Sequence, residues 1–241
     1  PLSANGAISM SDASVKADTL TNNGTATAVT GVRGAGVSLN GTTQYLSCTD
    51  AACGGTSKLD IGTGQWSVGA WIKTSDTKAQ SILTKGTTSD YSYDFNMISG
   101  NVIYRLYVAA GTSYATVTSN ANVADGNWHY VVGTWDPSGT TIKVYIDGKL
   151  DNTSTSTAGS LNTNSAAAFQ IGERADLAGL KFNGSIDEPF VTATALTASQ
   201  IKHMYEIGYR ALQSHGTTLG GGAADANQQL GYISTGTNTV G

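Results

Sequence analysis

The sequence is poor in charged residues. Asp, Glu, Lys and Arg make up only 12% of its 241 residues, about half of the roughly 25% that is usual. Ser, Thr, Asn and 30 glycines supply the polarity instead, a composition typical of extracellular β proteins. The net charge is −4, and Lys and Arg form no cluster. Because phosphate binding needs a basic surface, nucleic acid is excluded as a partner.

The sequence also lacks long apolar runs and a signal peptide. No run approaches the roughly 20 apolar residues of a membrane span, and no charged, then apolar, leader stands at the start. The sequence begins at Pro1 without Met. We therefore expect a mature or excised piece of a longer exported protein, located extracellularly as a secreted, cell-surface or virion-surface domain.

Cysteine is nearly absent. Cys48 and Cys53, in CTDAAC, are the only two, and without a CxxC spacing or a second pair they do not indicate a metal or redox site. We expect a disulfide that closes a short loop at a strand end and contributes roughly 2 kcal/mol to stability. Such a bond indicates an oxidising compartment.

What the sequence does have is period-two alternation of apolar and polar residues, strongest in Asp125–Asn152 around a Pro-containing turn and an Asp147-Gly148 turn. This pattern predicts an antiparallel hairpin. Trp66–Lys73 predicts a further core strand. We expect the interior to contain Trp128, Tyr130, Val68, Ala70 and Ile72, while the orientation of Trp135 stays open.

Other segments show the same pattern more weakly, together with one helix. Pro1–Thr30 predicts one or two short edge strands. The helix is predicted over Ala198–Ile207, with Thr197 and Gln200 as a capping box, Gly208 as its stop and a sheet edge as its partner. The remaining strands are predicted over Gly36–Leu39 and Tyr45–Cys48, paired across an Asn40-Gly41 turn, and over Gln80–Lys85, Tyr93–Ile98, Val102–Ala109, Ser113–Thr118, Phe169–Gly172 and Lys181–Thr192.

Several blocks of the sequence resemble one family in the order in which they occur. They are ADTLTNNGT, RGAGVSLNGTTQYL, GQWSVGAWIKT, DGNWHYVVGTWDPSGTTIKVYIDGKL, FNGSIDEPFV and ALTASQIKHMYE. Together they resemble the laminin-G-like, concanavalin A-like lectin/glucanase domain. The resemblance implies an all-β fold, a two-sheet antiparallel jelly-roll sandwich with one short C-terminal α-helix. We expect this domain over residues 1–210, with 1–13 as a possible extension, and a Gly-rich linker or assembly tail over 211–241.

The resemblance does not extend to catalytic residues. Glycosidases of this fold carry spaced carboxylates on one strand, whereas Asp187 and Glu188 are adjacent and would point to opposite faces of a strand. His129, His203 and His215 have no nucleophile signature nearby. We therefore predict that the protein is not an enzyme.

A structural calcium ion is the metal site that the resemblance implies. The matching positions are Asp18, Asn22 or Asn23, and Asp187, whose oxygen ligands suit Ca²⁺. The alternative is equally open: Asp187 caps backbone amides and the two asparagines form a turn.

A ligand site is expected on the concave face of the sandwich or at its rim. Sugar sites combine an aromatic surface with Asp, Asn or Arg side chains, and the candidates are Asp90, Tyr91, Tyr93, Arg105, Tyr107 and Tyr114. The tyrosines could instead be cross-strand pairs without a binding role.

Two functions fit these predictions. The first is a non-catalytic binding or adhesion module that recognises a glycan or a surface protein. The second is a structural part of an extracellular assembly, such as a surface layer, filament or virion appendage, without a small ligand. In the second case the polar ends, Pro1–Ala13 and Leu212–Gly241, would mediate self-assembly by strand exchange.

Overall fold

A computed structural model describes residues 19–53, 59–61, 63–87, 90–107, 114–156, 161–162, 166–174 and 180–216. Most of the predicted strands lie close to the observed bounds, whereas the strand over Lys149–Thr155 has no predicted counterpart. Within these residues the chain forms fourteen strands and one helix. They are β1 Thr21–Asn23, β2 Thr27–Thr30, β3 Ala35–Asn40, β4 Tyr45–Cys48, β5 Trp66–Lys73, β6 Gln80–Thr87, β7 Asp90–Ile98, β8 Asn101–Tyr107, β9 Tyr114–Asn122, β10 Trp128–Asp136, β11 Thr141–Ile146, β12 Lys149–Thr155, β13 Phe169–Ile171, β14 Asn183–Thr192 and α1 Ala198–Gly216.

The strands form two seven-stranded antiparallel sheets. Sheet A has the order β1-β4-β13-β6-β7-β8-β9, and sheet B has the order β12-β11-β10-β5-β14-β3-β2. Apolar side chains of both sheets, including Val68 and Ile72 of β5 and Phe95 of β7, share one buried cluster. The predicted all-β, two-sheet sandwich is confirmed.

The strongest sequence pattern forms the centre of sheet B. Strand β10 pairs with β11 from Val131↔Ile146 to Asp136↔Thr141 and with β5 on its other side. The turn after β11 uses Asp147 and Gly148 at φ values of 50° and 75°, as a tight hairpin turn requires. The predicted hairpin is therefore present, and both of its neighbours are long strands.

The predicted interior is right for β5 and wrong for β10. Val68, Ala70 and Ile72 lie in the core, and so does Trp135, which is 6% exposed. Trp128 and Tyr130 instead point to the opposite face of sheet B, where helix α1 covers them. Because both faces of β10 are buried, its apolar residues alternate with equally apolar ones, and the pattern does not show which set meets sheet A.

Strands β3 and β4 do not pair with each other. The first pairs with β14 and β2 in sheet B, and the second pairs with β13 and β1 in sheet A. Between them the Asn40 carboxamide oxygen accepts hydrogen bonds from the backbone N–H groups of Thr42, Thr43 and Gln44. The Asn40-Gly41 turn therefore carries the chain from one sheet to the other, and the predicted hairpin is wrong.

Helix α1 begins at the predicted capping box but covers a sheet face rather than an edge. Thr197 N–H donates to Gln200 Oε1 at 2.8 Å, and Gln200 N–H donates to Thr197 Oγ1 at 3.3 Å. The helix continues past Gly208 to Gly216, so Gly208 is not its stop; it lies against the Trp71 ring of sheet B. Residues 211–216 of the predicted tail belong to this helix, while the rest of that tail and the predicted extension over residues 1–13 lie outside the described residues.

Candidate ligand-binding face

One row of polar residues crosses sheet A. Its members lie directly opposite one another in successive strands. Their neighbours along the chain, such as Tyr93 and Phe95 in β7, point into the core. Because side chains alternate along a strand, the row lies on the face of sheet A that points away from sheet B, called the outer face below. The row consists of Thr21, Ser47, Gln170, Thr84, Asp94, Arg105 and Thr116.

Asp94 is the centre of this row. Its Oδ2 accepts from the guanidinium Nη1 of Arg174 at 2.8 Å and of Arg105 at 3.2 Å. Thr84 Oγ1 donates to Oδ1 at 3.2 Å, and Asn96 Nδ2 donates to Oδ2 at 2.8 Å. Burial raises the pKa of the Asp94 carboxyl, and the two arginines oppose that effect. The buried carboxylate thus holds two cationic side chains in fixed positions.

A tyrosine pair flanks the arginines. The rings of Tyr91 and Tyr107 stack with centroids 4.6 Å apart and planes at 27°. The Arg174 guanidinium lies 4.6 Å from the Tyr91 ring centroid, and its Nε donates to the Tyr91 hydroxyl at 2.9 Å. The tyrosines are only 4% and 7% exposed, so the stack is a cross-strand pair that supports Arg174. The arginine side chains, at 16% and 12% exposure, are the more accessible part of the site.

The other predicted ligand residues have different positions. The Asp90 carboxylate accepts from Asn162 Nδ2 at 2.7 Å and from Ala166 N–H at 3.0 Å, so it holds a neighbouring loop. Tyr93 is fully buried in the core and cannot form part of a surface site, because it shares the orientation of Phe95. The backbone of Tyr114 pairs with Tyr107, and its side chain lies outside the described part of the structure.

Sequence reasoning missed Asp94, Asn96 and Arg174. The first two alternate with Tyr93 and Phe95 in DYSYDFN, and this parity would have placed them on the face opposite the core. Arg174 follows β13 in a segment without periodicity. Its approach to Asp94, 80 residues earlier in the chain, depends on tertiary structure alone.

The same face continues beyond the tyrosine pair. Gln170 Nε2 donates to Glu173 Oε2 at 3.1 Å, and Lys181 forms an ion pair with Glu173. The Lys181 ammonium also lies 5.3 Å from the ring centroid of Tyr45. Burial, and then the charge of Glu173, raise the pKa of the Tyr45 phenol. This second group extends the polar, charge-balanced surface across β4 and β13.

The residues named for calcium make other contacts. Asp187 is 1% exposed and accepts from the N–H groups of Val32 at 2.7 Å, Arg33 at 3.0 Å and Glu188 at 2.9 Å. Asn22 bridges to the backbone of Ala26 in a turn, and Asn23 Nδ2 donates to Ser47 Oγ at 2.9 Å. Asp18 lies outside the described residues.

These contacts match the capping and turn roles. In the described part of the chain no three His, Cys, Asp or Glu side chains are grouped to hold a metal ion. Calcium binding stays a prediction.

The ionisable residues considered for catalysis have structural partners. His129 lies between Asp125 and Asp147. Asp187 is held by backbone amides, while Glu188 lies 3.7 Å from Arg33. His203 is exposed on α1, and the side chain of His215 lies outside the described residues.

The cysteines form the predicted Cys48–Cys53 disulfide.

Residues 40–202 match the family model Laminin_G_3, described as the concanavalin A-like lectin/glucanases superfamily. The chain belongs to this family. The match confirms the resemblance seen in the sequence and agrees with the two-sheet architecture.

Comparisons with individual proteins extend this result. The chain is 27% identical over 142 residues to a sushi, von Willebrand factor type A, EGF and pentraxin domain-containing protein 1 from Rattus norvegicus, covering 56% of this chain and 4% of that protein. The binding domain of botulinum neurotoxin DC has a similar structure in its complexes with SialylT and with rat synaptotagmin II. The TM-score is 0.63 in both, at 13% and 14% identity, covering 82% of this chain and 48% of that domain.

The family match and the curated relative support a non-catalytic binding module, and the toxin domain shares the fold. The chain spans a small fraction of the curated relative and about half of the toxin domain. No helix in the described part of the chain could span a lipid bilayer, since none is both long and apolar enough.

Proposed function

We propose that this protein is an extracellular recognition module that binds a glycan through the outer face of sheet A. The observation that carries the proposal is the convergence of Arg105 and Arg174 on the buried Asp94 carboxylate beside a stacked tyrosine pair. Arginine and carboxylate side chains suit a sugar, because sugar hydroxyls both donate and accept hydrogen bonds, and the tyrosine pair holds Arg174 in place. The disulfide agrees with an oxidising, extracellular setting.

The site suits recognition because its side chains are held in place before any ligand binds. A guanidinium has five N–H donors, and Asp94 is the described hydrogen-bond partner of Arg105. The Asn96 carboxamide oxygen is buried and has no hydrogen-bond partner among the described residues, so it can accept from a hydroxyl after a small side-chain shift. Fixed donors and acceptors reduce the entropy lost on binding.

A glycan array probed with the purified chain, with and without a calcium chelator, tests this proposal. We expect binding to a limited set of related glycans. Binding that persists with the chelator is the result expected of the Arg–Asp group, and binding that requires calcium would show that a metal ion contributes to recognition. Failure to bind any glycan in either condition would contradict the proposal.

Protein recognition or assembly is the second candidate function. It is favoured by large apolar side chains that stand exposed on α1 and β12: Met204, Ile207, Tyr209 and Leu150, between 36% and 52% exposed. Sedimentation analysis of the full chain, and of a version truncated to residues 19–216, tests it. Self-association that requires residues 1–18 or 217–241 would support assembly through the ends. A monomer at all concentrations would leave glycan recognition as the function.

A further inference from the structure

The interior of the sandwich contains four buried hydrogen-bond donors without partners among the described residues. They are the indole N–H groups of Trp66 and Trp135 and the hydroxyl groups of Tyr93 and Tyr104. Each side chain is at most 6% exposed, and both tyrosines are fully buried. Buried polar groups in folded proteins nearly always have a partner, since leaving one unpaired is destabilising. Four together require an explanation.

The four side chains form one cluster between the sheets. Trp66 and Trp135 are directly opposite in the β5–β10 register. The Trp66 ring lies 6.3 Å from the Tyr93 ring. The Tyr104 ring packs against Gly133, two residues before Trp135 on the same face of β10, where a Cβ would come within 2.6 Å of it. The four rings therefore lie in one region of the core rather than at four separate places.

Charged groups lie at the border of this cluster. Burial raises the pKa of the Tyr93 phenol well above its usual value, and the nearby Tyr104 and Asp60 raise it further. Lys85 Nζ, in a side chain that is 1% exposed, lies 3.6 Å from Asp60 Oδ1 and 2.8 Å from Asp50 Oδ1 in the disulfide loop. The unpaired donors thus adjoin a buried ion pair that connects them to the Cys48–Cys53 loop.

We propose that Trp66, Tyr93, Tyr104 and Trp135 enclose an internal water site. Water can accept from the indole N–H and tyrosine O–H groups and donate to the Asp60 carboxylate, and buried waters typically make about three such hydrogen bonds. An anion is disfavoured because the Asp60 carboxylate is close by. An apolar ligand would leave all four donors unpaired. The waters extend the Lys85–Asp60 pair into the core and fix the end of the sandwich below the disulfide loop.

Nuclear magnetic resonance on the full chain tests this site directly, with water as the probe. We expect the indole protons of Trp66 and Trp135 to show cross-relaxation with the water resonance while exchanging slowly with bulk solvent. Trp71, packed under α1 outside this region, is the comparison indole, and partly exposed Trp128 is the control that reaches bulk solvent. The substitutions Trp71→Phe and Trp128→Phe assign the control signals.

Thermal unfolding of Tyr93→Phe and Tyr104→Phe gives a second measurement. If water bridges these hydroxyls, each substitution removes an anchor of the network and lowers Tm. If the cluster is dry, removing an unpaired buried hydroxyl raises Tm instead. Tyr130→Phe, whose hydroxyl contacts Met204 Sδ at 3.6 Å, is the matched control. Absence of cross-relaxation at both indoles, or a raised Tm in both cluster variants, would overturn the proposal.

Discussion

His129 Nδ1 lies 2.8 Å from Asp147 Oδ2, and its Nε2 lies 3.1 Å from an Asp125 carboxylate oxygen. Both ring nitrogens can donate only when the imidazole is protonated. Asp147 also accepts from the Tyr130 N–H at 2.9 Å, and the neighbouring Gly148 packs against Tyr205 of α1. The imidazolium therefore joins the start of β10 to the β11–β12 turn, and that turn packs against the helix.

Because of this arrangement, we expect His129 to contribute to the free energy of unfolding in a way that depends on pH. The hydrogen bond to Asp147 raises the pKa of His129, and burial opposes it. A raised folded-state pKa gives stability that is fully present below the unfolded value of about 6.5 and is lost as pH rises through the folded value. Relative to the wild type, His129→Gln should therefore have a free energy of unfolding that is lower by roughly 1 kcal/mol near pH 6 and by much less near pH 9.

Urea unfolding of wild type and His129→Gln at several pH values measures this difference. Hydrogen bonds from Asn127 and His129 hold the pKa of Asp125 below its usual value, so the carboxylate partner stays charged through this window. His203→Gln, at an exposed position of α1, is the matched control and should show no such trend. A His129→Gln deficit that grows as pH rises would contradict the assignment.

We expect replacement of Gly208 by alanine to destabilise the protein, which is unusual for a glycine inside a helix. Replacing glycine by alanine within a helix normally stabilises by about 1 kcal/mol. Here the added Cβ would lie 2.5 Å from the Trp71 ring, and such overpacking costs roughly 1–3 kcal/mol. We expect Gly208→Ala to lower the free energy of unfolding. Gly139→Ala, where the nearest atom would be 3.4 Å away, is the control; a stabilised Gly208→Ala would show that the residue has no packing role.

We expect replacement of Asp187 to cause a large loss of stability that does not depend on calcium. Its carboxylate accepts from the N–H groups of Val32, Arg33 and Glu188, and hydrogen bonds to a charged group contribute about 1.5–3 kcal/mol. Asp187→Asn should therefore destabilise the protein by roughly 2–3 kcal/mol, and equally with and without a chelator. Calorimetry in both conditions measures it. A deficit that vanishes in the chelator would assign the carboxylate to calcium.

Much of the fold can be predicted from the sequence, because strand periodicity is a local property. The bounds of β5 and β10 and the capping box of α1 follow from residues a few positions apart. The inward face of β10 does not, since Trp128 and Trp135 are both apolar and both buried, against different partners. The separation of β3 and β4 into two sheets is likewise decided by their neighbours β14 and β13.

The site could be predicted only in part, because only some of its contacts follow from strand periodicity. Arg105 and Tyr107 lie on one strand at alternate positions, and their common face follows from that spacing. Arg174 reaches Asp94 through a loop without a pattern of its own. The sequence predicts the tyrosines as a possible sugar surface, but Tyr91 and Tyr107 stack on each other and Arg174 lies over the Tyr91 ring.

Glycan-array binding by Arg105→Ala and Arg33→Ala, side by side with the wild type, tests the central claim most directly. Both variants remove one arginine, but Arg33 is 54% exposed at the β2–β3 turn of sheet B and pairs with Glu188. We predict that Arg105→Ala loses binding by roughly tenfold or more, about 1.4 kcal/mol, while Arg33→Ala binds as the wild type does. Equal binding by all three proteins, with both variants folded, would contradict recognition at the outer face of sheet A.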